Sequence, residues 1–98
     1  MTEIDPQLIS ALRSAKPGSK VQAVLILGAP DGQLLSRARV DELVRDIFNQ
    51  ARIESGKEAQ RKKVFYSLQT VTVEADPKFI ETAIHQAAVH SAMLNSIP

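Results

Sequence analysis

Apolar positions recur at two spacings along the 98-residue chain, and the alternation between them divides it into elements. Leu8, Ile9 and Leu12 share one face of a short helix. Asp5 is placed to cap it and Pro6 suits its first position, where the missing N–H is not needed. Lys16-Pro17-Gly18-Ser19 ends it. Residues 20–27 are predicted as a strand, nearly continuously apolar after Lys20 with Gln22 the interruption, as in a central strand covered on at least one face. After the loop Gly28-Ala29-Pro30-Asp31-Gly32, an amphipathic helix is predicted over 37–55. Its stripe is Val40, Leu43, Val44, Ile47, Phe48 and Ala51. The opposite face carries Asp41, Glu42, Arg45, Asp46, Asn49 and Arg52, with Asp41 and Arg45 spaced for a helical ion pair. Gly56 is suited to the left-handed position that closes a helix.

A polar segment, 57–63, leads into a run over 64–74 whose second half alternates strictly. Val71 and Val73 fall on one face, and Thr70, Thr72 and Glu74 on the other, the mark of a half-buried strand with an open face. The run is long for one strand, which favours a hairpin turning near 67–69. Asp76-Pro77 repeats the Asp5-Pro6 device and opens a second long helix, with Phe79, Ile80, Ala83, Ile84, Ala87 and Ala88 on its buried side. A closing strand is expected over 89–94. The predicted fold is α+β: a ferredoxin-like β-α-β-β-α-β antiparallel sheet with two helices on one face, preceded by a short N-terminal helix. One domain spans 1–98, with 1–19 as leading helix and linker.

Composition narrows the function classes. Hydrophobic residues are 44% and charged residues 23%, ordinary for a globular domain. Absence of cysteine rules out disulfides, thiolate metal sites and thiol catalysis. A formal charge of +1 gives no overall field toward nucleic acid or membrane. The longest apolar run, Ala23-Val24-Leu25-Ile26-Leu27, is far below the ~20 residues of a membrane span, and the acidic start Met1-Thr2-Glu3-Ile4-Asp5 is not expected to act as a signal peptide. As written, the chain is expected in the cytoplasm; removal of a leader would make it a secreted protein.

No catalytic constellation is visible. Glu81 and His85 stand four apart on a helix, but no further acid or histidine completes a metal or proton-transfer site, and His90 lies alone in the closing strand. There is no Gly-x-Ser-x-Gly elbow, and the 28–32 loop lacks the Gly-Lys-Ser/Thr ending of a phosphate loop. No enzyme activity, metal or cofactor is therefore expected. The most uneven charge lies in 52–63, where Arg52, Lys57, Arg61, Lys62 and Lys63 face Glu54 and Glu58, a local excess of three positive charges. Arg61, Lys62 and Lys63, with Phe65 and Tyr66 as stacking platforms, are the residues a nucleic acid would use. The balanced charge elsewhere disfavours that partner, and the cations equally suit a solvated strand edge.

One family pattern fits nearly the whole chain. Ile4-Asp5-Pro6-x-Leu8, then Pro17-Gly18-x-x-Val21-x-Ala23-Val24-Leu25-Ile26-Leu27, resembles the opening of a subtilisin-type protease propeptide. The run 65–73 followed by Asp76-Pro77-Lys78-Phe79-Ile80 is similar to that family's hairpin and second helix, and Ala88-Val89-His90-Ser91-Ala92-Met93 to its closing strand. The pattern departs at Met93-Leu94-Asn95, uncharged where the family commonly has acids. The resemblance implies a ferredoxin-like folding chaperone and inhibitor of a subtilisin-like serine protease, whose open sheet face docks on the enzyme while its tail enters the cleft. Thr70, Thr72 and Glu74 would then be contact residues on the face, and Asn95, Ser96, Ile97 and Pro98 the tail. The alternative is an interaction domain with another partner, or one that self-associates through the sheet edge or face.

Overall fold

The computed structural model describes residues 3–16, 18–28 and 34–95. Five strands and three α-helices follow in the order β1 (Glu3–Ile4), α1 (Pro6–Ser14), β2 (Val21–Leu27), α2 (Arg37–Ser55), β3 (Ala59–Phe65), β4 (Thr70–Ala75), α3 (Pro77–Ile84) and β5 (Val89–Leu94). The strands form one sheet in the order β1-β5-β2-β4-β3.

Local chemistry sets the helix starts. The carboxylate of Asp5 accepts from the Gln7 N–H at 3.1 Å, and that of Asp76 from the Lys78 N–H at 2.9 Å, each just before a proline. Ser36 Oγ caps α2 by accepting from the Arg39 N–H at 3.1 Å. At the other end Gly56 takes φ 71°, and its N–H returns to the Arg52 carbonyl. Helix α2 thus occupies the span its apolar stripe predicts, with Phe48 half-buried at the margin and the other five stripe residues buried.

The alternation in β2 sends Val21, Ala23, Leu25 and Leu27 into the core. There they meet Val71, Val73 and Ala75 of β4 and Val89 and Ala92 of β5. Leu8 of α1, the α2 stripe, and Phe79, Ile80, Ala83 and Ile84 of α3 complete the same cluster. All three helices therefore lie on one side of the sheet. The rings of Phe48 and Phe79 join α2 to α3 edge to face, with centroids 5.4 Å apart.

Four expectations need correction. The sheet is mixed rather than wholly antiparallel, because Glu3 and Ile4 add a short strand parallel to β5. The segment 57–63 is mostly strand: β3 begins at Ala59, and its four consecutive exposed residues hide the strand signal because it is a sheet edge. Helix α3 stops at Ile84, where the chain turns back toward β5; the Gln86 side chain donates to the Ile47 carbonyl at 2.8 Å, Ala87 is exposed and Ala88 half-buried. Asp41 accepts from Tyr66 instead of pairing with Arg45, while among the described residues the helical ion pair is Arg39–Glu42. The expected hairpin turns through a 3-10 segment, Tyr66–Leu68, and closes with Gln69 at φ 49°.

Candidate docking face

Because the strands alternate, burying one set of residues under the helices leaves the other set on the far side of the sheet. Cross-strand pairing fixes its membership. Val24 lies between Thr72 and Met93, Ile26 between Thr70 and Ser91, and Gln22 beside Glu74. On β3 the same face carries Arg61, Lys63 and Phe65, opposite Glu74, Thr72 and Thr70. No described helix covers this side.

The face has an apolar centre and a polar end. Val24 and Ile26 are half-buried by their neighbours in the sheet, and Met93 is 39% exposed. Toward the end where β2 begins, Gln22 Nε2 donates to Glu74 Oε2 at 2.8 Å, and the Asn95 N–H donates to the Gln22 carbonyl at 3.0 Å. These residues, with Arg61, Lys63 and Thr72, line a shallow recess of about 440 Å³. Lys63 Nζ stands 5.1 Å from the centre of the Phe65 ring, a cation–π contact at the edge of the face.

The residues expected to contact a partner are thus partly brought together. Thr70, Thr72 and Glu74 stand in a row on the helix-free face. The Thr70 hydroxyl donates to the Leu68 carbonyl at 2.7 Å, so it braces the turn. Asn95 borders the recess, while Ser96, Ile97 and Pro98 lie outside the described residues.

The basic residues divide. Arg61 and Lys63 belong to the open face, whereas Lys62, opposite Val73, points to the helix side with Nζ 5.2 Å from the Phe48 ring centre. Tyr66 is not a platform on the open face. Its hydroxyl donates to Asp41 Oδ1 of α2 at 2.5 Å, and the Arg37 guanidinium lies 4.3 Å from its ring centre. The hydrogen bond to Asp41, with some desolvation and the negative charge of Asp41, raises the Tyr66 pKa above the usual tyrosine value, and Arg37 opposes this. Arg61, Lys62 and Lys63 thus border one recess at the β3 edge, whereas Tyr66 is turned to α2, so the four residues of the nucleic-acid set are not all brought together.

Val24, Ile26, Ser91 and Met93 are the face residues that sequence reasoning missed. Gln22 held the signal: it breaks an apolar run, and Val24 and Ile26 share its parity in β2. His85 is exposed at the end of α3 and His90 is exposed in β5. No group of three or more His, Asp or Glu side chains among the described residues is placed to hold a metal ion. Nor is any described helix long and apolar enough to cross a membrane. No family model, curated protein or solved structure matches the chain.

Proposed function

We propose that the protein is a non-catalytic protein-binding module that docks through its helix-free sheet face onto a subtilisin-like serine protease, as inhibitor or folding chaperone. The observation that carries this is the face itself: an apolar strip of Val24, Ile26 and Met93, bordered by Thr70, Thr72, Arg61, Lys63 and Glu74, with every described helix on the other side. Such a strip within a polar border has the make-up of a protein interface. A ferredoxin-like core is part of the proposal. Leaving β1 aside, the order β5-β2-β4-β3 with α2 and α3 as crossovers supports it. The choice of a protease as partner rests on the propeptide-like sequence pattern.

The test is titration of the purified protein into a subtilisin-type protease assay, with complex formation followed by size-exclusion chromatography. Inhibition together with a one-to-one complex supports the proposal. Neither effect at tens of micromolar contradicts it, since specific interfaces of this kind bind well below that concentration.

A further inference from the structure

We propose that the free edge of β3 is a strand-addition site for an extended acidic segment of another protein. β3 closes the sheet at one side and, among the described residues, pairs with β4 alone. Gln60, Arg61, Lys62 and Lys63 are all exposed along it. An edge strand of this length offers a row of backbone donors and acceptors to an incoming strand.

Recesses flank this edge on both faces of the sheet. On the helix side, Phe48, Asn49, Arg52, Glu58, Lys62 and Phe79 border a hollow of about 470 Å³. On the open side lies the 440 Å³ recess that includes Arg61 and Lys63. Side chains of an added strand alternate between faces, so successive residues would enter successive recesses. Arg52, Arg61, Lys62 and Lys63 outnumber the carboxylates of Glu58 and Glu74, and none of the four makes an ion pair among the described residues.

Charge selects the occupant. A second copy of β3 laid antiparallel would bring the cations of 61–63 close to their own counterparts, and like charges placed opposite each other destabilise a strand pair. An incoming strand with three consecutive acids sets one opposite each cation, on alternating faces. The edge shares Arg61, Lys63 and the open-side recess with the helix-free face, but the backbone donors and acceptors of β3 do not belong to that face, so loss of binding on peptide N-methylation tests the edge separately from the protease interaction.

The probe is a fluorescent seven-residue peptide of sequence Thr-Val-Glu-Glu-Glu-Val-Thr, titrated into the full chain by anisotropy, with backbone amide shifts mapped by NMR. The expected result is saturable binding that weakens with salt and moves the amides of 59–65. Three lysines in place of the three glutamates should weaken it about tenfold or more, and reversing Arg61, Lys62 and Lys63 to glutamate should invert the preference. N-methylation of alternate peptide nitrogens, which keeps the charge but removes the strand donors, should weaken it as much. That comparison uses the unaltered protein, so it decides the matter even if the charge-reversed variant fails to fold. Equal affinity for the N-methylated peptide, shifts confined to other elements, or equally tight binding of a single-stranded oligonucleotide would overturn the proposal.

Discussion

The hydroxyl of Tyr66, in the turn after β3, donates to the carboxylate of Asp41, in the first turns of α2, at 2.5 Å. With Arg37 against the ring, this bond ties the tip of the β3–β4 hairpin to the start of the long helix. Tyr66 is the single tyrosine of the chain, so its ionisation is directly observable. Its phenol should titrate above the usual value near 10, because ionisation would replace a donated hydrogen bond with two facing negative charges. A folded-state pKa above the unfolded one stabilises the fold fully below the unfolded value, and this contribution is lost as pH rises through the folded value. Absorbance of the phenolate against pH should show the raised midpoint, and Asp41→Asn should bring it down.

Phe79 is 1% exposed and packs edge to face on Phe48. Phe79→Ala should cost about 3–5 kcal/mol, because it leaves a cavity where α2, α3 and β4 converge. Phe48 is half-buried, so Phe48→Ala should cost less. Urea unfolding followed by circular dichroism ranks the two.

The bulge in β5 depends on a close approach. Leu27 pairs with Val89 but Ile26 pairs with Ser91, which leaves His90 as the extra residue. A Cβ on Gly28 would stand 3.0 Å from the His90 Cβ. Gly28→Ala should therefore destabilise by about 1 kcal/mol, as overpacking does. The same change made in a His90→Gly background should cost measurably less, and a double-mutant cycle reads that coupling.

The sequence made the interior of the fold legible wherever burial imposes a period. Val40, Leu43, Val44, Ile47 and Ala51 marked α2 because a helix on a sheet must bury one stripe, and Asp76-Pro77 marked the start of α3 because a capped first turn needs that chemistry. Thr70, Thr72 and Glu74 could be assigned to the open face for the same reason. What stayed illegible was set by long-range pairing. Ala59-Gln60-Arg61-Lys62-Lys63 has no apolar alternation because one long side of β3 and much of both faces meet solvent, so its strand character comes from β4 alone. Glu3–Ile4 is too short for any pattern and becomes a strand only because β5 runs beside it. Val24 and Ile26 look like core residues by type, and only their pairing with Thr72 and Thr70 places them outside it.

The helix-free face is the centre of the functional account, and isotope-labelled protein titrated with an active-site-blocked subtilisin-type protease tests it most directly. Docking through this face should shift or remove the amide signals of Val24, Ile26, Thr70, Thr72, Glu74 and Met93, with the exposed side of α2 (Asp46, Asn49 and Ile53) unchanged. Perturbation confined to the helices, or none at saturating protease, would contradict it.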